Sequence, residues 1–241
     1  VTKGLDPNVS MKDSGVEWLG EVPAHWCIAS LKMLVDVRDG THETPDCVEP
    51  SELSFPLVTS KDVTGGHLLL EECNHISEDD YYSIIRRSGV SKGDILMPMI
   101  GTVGSPLLLT EDYEIAIKNL ALFRTSTSQD ELAASFLLYF LRSSECQVQF
   151  DLESRGGVQN FVSLGTLRNL QLPVPPIREQ LTLVERLNRE AFRIDLLIEK
   201  AQTGIDILIE RRSALIFAAV TGKIDVRNWL APEQPSATEI Y

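Results

Sequence analysis

Residues 177–221 contain no proline and one glycine, and their apolar side chains recur in a 4-3 rhythm. Counting from Val184, the series is Val184, Leu187, Ala191, Ile194, Ile198, Ala201, Ile205, Leu208, Arg212, Leu215 and Ala219. Ten of these eleven positions are apolar, which sustains a seam over about five heptads and predicts a long helix built to meet another helix. At ~1.5 Å per residue such a helix is roughly 66 Å long. Leu183, Leu197, Ile209 and Ile216 widen the stripe beyond two rows, so one narrow partner helix leaves part of it uncovered. Glu185, Arg186, Arg189, Arg193, Glu199, Lys200 and Glu210 supply the solvated face. Pro173, Pro175 and Pro176 stop the preceding element and let the helix begin. Gly204 is its weak point, at ~1 kcal/mol against alanine, and is the place where the run could break into two helices. Arg212 interrupts the seam as a snorkelling stem or as a polar device that fixes register.

The residues before this helix have a different texture. Short apolar runs separated by turn residues predict strands at Phe55–Thr59, Leu68–Leu70, Ile95–Ile100, Pro106–Leu109, Asn119–Arg124 and Leu170–Val174. Gly65-Gly66 suits a hairpin between the first two, and Gly101 to Gly104 suits a tight turn. Helical patterns occupy Asp79–Arg87 and Glu131–Arg142, with Val148–Leu152 continuing or repeating the second. Leu31–Val37 fits a strand or a short helix, followed by a loop from Arg38 to Pro45. The expected architecture is therefore α+β: a globular mixed α/β domain over 1–176, a long coiled-coil-type helix over 177–221 and a tail over 222–241, mobile after Trp229. Val1-Thr-Lys-Gly-Leu-Asp6 echoes Val220-Thr-Gly-Lys-Ile-Asp225, as in one unit of a tandem repeat.

Composition narrows the function classes. No apolar run approaches the ~20 residues of a membrane span, and the polar opening Val1–Ser10 has no secretory pattern. Cys27, Cys47, Cys73 and Cys146 form no CxxC and read as reduced cytoplasmic thiols. Cys73, His75 and His67 lack a fourth ligand and a zinc spacing, so no metal site is expected. The net charge is −13, of which −12 falls in residues 1–176, and this opposes stand-alone binding to nucleic acid. A DNA role then needs a local patch or partner subunits.

No catalytic set is expected. Dinucleotide, P-loop, nucleophile-elbow and HExxH patterns are absent from the sequence. Asp39 and His42 could act as acid and base, but no nucleophile accompanies them in sequence. What remains are polar loop residues suited to DNA. Arg38, Thr41 and His42 share one loop, and Lys61 ends a strand. Thr102 lies in the Gly-rich turn, Lys118 and Asn119 open a strand, and Arg155, Gln159 and Asn160 flank a Gly-Gly break. Arg and Lys pair with guanine and Asn and Gln with adenine in the major groove, while small polar residues and cations meet phosphate.

Several longer stretches act as markers. They are Asp13-Ser-Gly-Val-Glu-Trp-Leu-Gly-Glu-Val-Pro-Ala-His-Trp26, Asp39-Gly-Thr-His-Glu-Thr-Pro45, Gly93-Asp-Ile-Leu96 with Gly101-Thr-Val-Gly104, Leu172-Pro-Val-Pro-Pro-Ile-Arg-Glu-Gln180 and Ala219-Val-Thr-Gly-Lys-Ile-Asp225. With them the chain resembles the specificity subunit of a type I restriction–modification enzyme, from Asp13 to about Arg227. The resemblance implies a target recognition domain reading one half of a split site in double-stranded DNA. It also implies a spacer helix for dimerisation and for docking methyltransferase subunits, with Val184, Leu187, Ile194, Ile198, Ala201, Ile205, Leu208 and Leu215 at the contact. Chemistry falls to the partners: adenine methylation with S-adenosylmethionine, and ATP- and Mg-dependent translocation and cleavage by the restriction subunit. This chain is then non-catalytic and binds no cofactor. Family members usually carry two recognition domains and two spacer helices, so the one of each here fits a half-size subunit that pairs with its own copy, or the second half of a split or truncated one. A coiled-coil adaptor whose globular domain binds protein is the alternative.

Overall fold

The computed structural model describes residues 4–101, 104–125, 131–153, 161–225 and 227. The chain enters through β1 (Met11–Asp13), β2 (Glu21–Pro23), β3 (Cys27–Ser30) and β4 (Asp36–Asp39). It continues through β5 (Ser54–Val58), β6 (Val63–Thr64), β7 (His67–Leu68) and β8 (Asn74–Ser77) to helix α1 (Glu78–Ser88). Then come β9 (Ile95–Pro98), β10 (Leu107–Leu108), β11 (Ala116–Ile117), β12 (Leu120–Arg124), α2 (Ala134–Leu141), α3 (Ser144–Glu153), α4 (Leu164–Asn169), β13 (Gln171–Val174) and α5 (Ile177–Val220).

β12 organises the globular part. Its residues Leu120 to Phe123 are fully buried, because successive side chains enter two different cores. Ala121 and Phe123 join Ile95, Met97, Phe136 and Phe140 beneath α2, while Leu120 and Leu122 join Leu96, Ile117 and Val58 on the other face. β12 pairs antiparallel with β9 and β4, and β10 extends β9, giving the order β10-β9-β12-β4. A second sheet has the order β11-β5-β8, with β11 parallel to β5 and β8 antiparallel to it. The Gly65-Gly66 hairpin joins β6 to β7, not β5 to β7 as the local pattern suggests. β5 instead takes partners distant in sequence, Ala116–Ile117 and Asn74–Ser77. Leu31–Val37 splits into a 3-10 turn at Leu31–Met33 and the start of β4.

Two marker stretches some 150 residues apart meet at the base of α5. The Glu179 carboxylate accepts from the indole Nε1 of fully buried Trp26 at 3.1 Å and hydrogen-bonds His25 Nε2 at 2.7 Å. Next to it, Gln180 is fully buried with its amide satisfied three ways. Its Nε2 donates to the carbonyls of Glu131 and Pro175, and its Oε1 accepts from the Ala133 amide that begins α2. Arg-Glu-Gln at the helix entry is thus a structural joint.

The chain divides into two compact units, residues 1–187 and 188–241. The globular unit therefore extends past the expected limit at 176, because Leu183 and Val184 are buried in its core beside Leu172 and Val162. Val184 begins the heptad series but is a core residue of this unit, and Leu187 is half-buried at its limit. α5 runs unbroken through Gly204. No helix among the described residues is long and apolar enough to cross a membrane. The expected mobile tail after Trp229 lies outside the described residues.

Candidate functional site

Strand direction gathers the polar loops at one edge of the globular unit. β4, β5, β9 and β11 all end there, and β12 starts there, since Leu120 pairs with Pro98 and Ala121 with Asp39. The loop after β4 is sewn to the β11–β12 turn by backbone bonds. Gly40 N–H donates to Leu120 at 2.8 Å, Thr41 N–H to Ile117 at 2.9 Å, and Asn119 N–H to Thr41 at 3.1 Å. Lys118 N–H reaches Val58 at the end of β5, and Met99 N–H reaches Asn119. Gly40 is required by the closeness of this seam: a Cβ there would lie 2.3 Å from the Ile117 carbonyl oxygen. Asn119 adopts φ 54°, a left-handed conformation that asparagine tolerates better than most side chains.

Asp39 is the hub of the edge. Its carboxylate is buried and receives the Arg87 guanidinium from α1 and His42 Nε2 at 2.9 Å. Burial pushes the Asp39 carboxyl up, but hydrogen bonds and charge attraction from Arg87 and His42 outweigh it and hold it below the ordinary value. The other imidazole nitrogen, Nδ1, lies 2.9 Å from Asn119 Oδ1. Those bonds to Asn119 and Asp39 raise the His42 pKa. With both ring nitrogens occupied, His42 has none free to deprotonate a nucleophile, which argues against an Asp39–His42 hydrolase.

The remaining candidates divide. Thr41, Lys118 and Asn119 lie on the edge, with Lys118 Nζ donating to Thr44 Oγ1. Lys61 is exposed on the 3-10 turn Ser60–Asp62 directly after β5, a turn closed by reciprocal Thr59–Asp62 bonds. Arg38 is occupied elsewhere, by the Asp36 carboxylate at 2.7 Å and the Arg87 carbonyl at 2.9 Å. Thr102, Arg155, Gln159 and Asn160 lie outside the described residues. Sequence reasoning missed Arg87, although a short Asp-Gly strand end entering a core calls for a cation nearby. It also missed Ile100 and Phe161, exposed apolar residues whose backbones form an antiparallel β-bridge, next to Met99, which bonds Asn119. The four thiols are free: Cys27 and Cys47 are exposed, and burial pushes Cys73 to about 11 and Cys146 to about 12. His75 bonds Ser54 and Cys73 bonds the Leu69 carbonyl, so the two face separate partners.

Past residue 188 the helix is bare. Ile194, Ile198, Ile205, Leu208 and Leu215 of the seam are about half exposed or more, and Ala201 is exposed with them. A second stripe that the heptad count passed over comprises Phe192, Leu196, Ile207 and Phe217, also exposed. At 100° per residue it lies about half a turn from Ile198 and Ile205.

Residues 76–202 match the family model described as Type I restriction modification DNA specificity domain. The chain is 26% identical over 231 residues to the type I restriction enzyme MjaVIII specificity subunit of Methanocaldococcus jannaschii, covering 94% of this chain and 52% of that protein. It is 24% identical over 216 residues to the EcoBI specificity subunit of Escherichia coli, covering 87% and 44%. The chain thus spans about half the length of the curated relatives it matches. Among solved structures, the HsdS subunit from Thermoanaerobacter tengcongensis shares the fold at TM-score 0.55 and 19% identity, over 78% of this chain and 41% of that one. A chain from work on assembly and conformational transition of the type I R-M system superposes at TM-score 0.59 and 20% identity, over 87% and 48%. More than half of the residues fall within the family model, and the chain belongs to the type I restriction modification DNA specificity domain family.

Proposed function

We propose that this chain reads one half of a bipartite site in double-stranded DNA, as the non-catalytic specificity component of a type I restriction–modification complex in the cytoplasm. The observation that carries this is the edge itself. It collects the ends of several strands and presents Thr41, Lys61, Lys118 and Asn119 from separate loops on one scaffold. Such an edge suits contacts to phosphates and base edges together. Methyltransferase subunits supply adenine methylation with S-adenosylmethionine, and the restriction subunit supplies ATP- and Mg-dependent work. The test is co-expression with the cognate methyltransferase subunit and mapping of adenine methylation across a genome. A defined motif supports the reading. A stable complex without a motif favours the adaptor alternative.

The helix serves assembly in this reading. The Ile194–Leu215 seam pairs with a second spacer helix, from another copy of this chain or from a second half-subunit, and the Phe192–Phe217 stripe takes the methyltransferase side. An antiparallel pair of copies places Ile198 near the crossing and reads an interrupted palindrome. Ile198→Asp would then bury two carboxylates together at a cost of several kcal/mol. Light scattering should show a dimeric parent and a monomeric variant; a monomeric parent at micromolar concentration refutes self-pairing.

A further inference from the structure

Asn119 is held through its backbone on both sides and through one contact of its side-chain amide. Its backbone is bonded on both sides, through N–H to Thr41 and through its carbonyl to Met99, and φ is left-handed. His42 occupies one side of the amide, at 2.9 Å from Oδ1. The same imidazole bonds Asp39 through Nε2. An ionised carboxylate only accepts, so Nε2 carries a proton whenever that bond is present. In this arrangement Nδ1 faces the amide oxygen, a bond it can make as donor only when the ring is an imidazolium.

We propose that His42 is a positioning residue that sets which side of the Asn119 amide is offered to DNA: the imidazolium leaves the Nδ2 donor outward, and the neutral ring leaves the Oδ1 acceptor outward. The inference rests on the DNA-reading assignment of this edge. Its logic is that of donors and acceptors. Loss of the Nδ1 proton turns that nitrogen into an acceptor facing an acceptor. The seam fixes the backbone, so the relief within reach is a half-turn of the amide, which brings Nδ2 to His42 and Oδ1 outward. An outward donor matches O6 or N7 of guanine, N7 of adenine or O4 of thymine. An outward acceptor matches N4 of cytosine or N6 of adenine. The charged groups that meet the imidazole are Asp39 from β4, which favours the imidazolium, and Arg87 from α1, which opposes it. The hydrogen bonds from Asn119 and Asp39 raise the pKa of His42, so the donor-outward form extends upward in pH.

The experiment uses the full chain assembled with its methyltransferase subunits. Randomised duplex DNA is selected at pH 6 and pH 9 with the parent, Asn119→Ala and His42→Leu, and the bound pools are sequenced. In the parent, one position should change its preferred base between the two pH values by about fivefold or more, with the other positions as internal controls. Asn119→Ala should lose preference at that position at both pH values. His42→Leu should keep the rest of the motif and lose the pH dependence at that position. Independently of DNA and of any variant, 15N spectra of the parent should show protons on both His42 nitrogens at pH 6, with Nδ1 losing its proton first as pH rises. A parent motif identical at both pH values, an Asn119→Ala variant with an unchanged motif, or deprotonation first at Nε2 overturns the inference. A parent that enriches no sequence at all overturns the DNA-reading assignment as well.

Discussion

Gly40→Ala tests whether the Asp39-Gly40-Thr41-His42 turn is a fastening rather than a flexible reading loop. The new methyl carbon would lie 2.3 Å from the Ile117 oxygen and 2.6 Å from its carbon, where ordinary contact begins at 3.4 Å. Both atoms are backbone, so no side chain can turn aside, and the two segments must part by about 1 Å. That separation falls on three backbone hydrogen bonds: Gly40 to Leu120, Thr41 to Ile117 and Asn119 to Thr41. At ~0.5–1.5 kcal/mol each, their loss costs about 2–4 kcal/mol. For a chain of this size that lowers the thermal midpoint by about 5–15 °C. Calorimetry of the full chain should show the drop. Methylation mapping of the assembled complex should show a relaxed or lost motif, because Lys118 and Asn119 move with the seam. A midpoint within about 2 °C of the parent together with an unchanged motif would refute the close-approach argument.

Three further outcomes follow from the same structure. Gln180→Met keeps the volume and strands the Ala133 amide and the Pro175 carbonyl, costing about 2–4 kcal/mol in urea unfolding. Gly204→Ala should raise helix content and stability by up to ~1 kcal/mol, since its Cβ meets nothing within 4 Å; circular dichroism checks this, and a loss in the assembled complex would mark a close backbone approach there. The Asp39–His42 pair sets a pH window. The Asp39 contribution is complete above its unfolded value near 3.8 and is lost as pH falls through its lowered native value. The His42 contribution is complete below 6.5 and is lost as pH rises through its raised native value, so the protection factors of the Thr41 and Asn119 amides, with the intrinsic pH dependence of exchange divided out, should be highest between those limits.

The elements that sequence reasoning reached are those whose signal is local. The extent of α5 is legible because its heptads repeat within a few residues, but its continuity through Gly204 is not, since a glycine is compatible with either a break or a continuous helix. β12 was legible because Leu120 to Arg124 is an uninterrupted apolar run before a basic end. What escaped it depends on pairing at long range. Nothing in Phe55–Val58 announces a parallel partner at Ala116–Ile117, and the nearby Gly-Gly turn points locally to a β5–β7 hairpin that the fold does not make. Likewise Arg38 and Arg87 look equivalent in sequence. Only the packing of α1 beside β4 aims Arg87 at Asp39 and leaves Arg38 to Asp36. The length of α5 was readable to within a residue, but its division was not. Val184 fits the heptad pattern as well as Ile198 does and Leu183 belongs to the widened stripe, and only the tertiary core claims them.

The acidic composition, which argues against DNA binding when counted as a total, loses force once the charges are placed. Glu78, Asp79 and Asp80 open α1 directly after β8, whose end pairs with the start of β5. Glu111 and Asp112 follow β10, which runs away from the end of β9. All five therefore sit at the opposite ends of the strands from Lys61 and Lys118. A strand of five residues at ~3.3 Å each puts roughly 17 Å between the two ends, about two Debye lengths at physiological salt. Of the other carboxylates near the edge, Asp39 is neutralised by Arg87 and His42, and Asp62 is buried against Thr59, while Glu43 remains exposed. The first turn of α1 also gains from its acids through the helix dipole, a reason for their position that has nothing to do with DNA. A phosphate brought to the edge would thus meet Lys61 and Lys118 with these five carboxylates at the far ends of the strands, where screening mutes them.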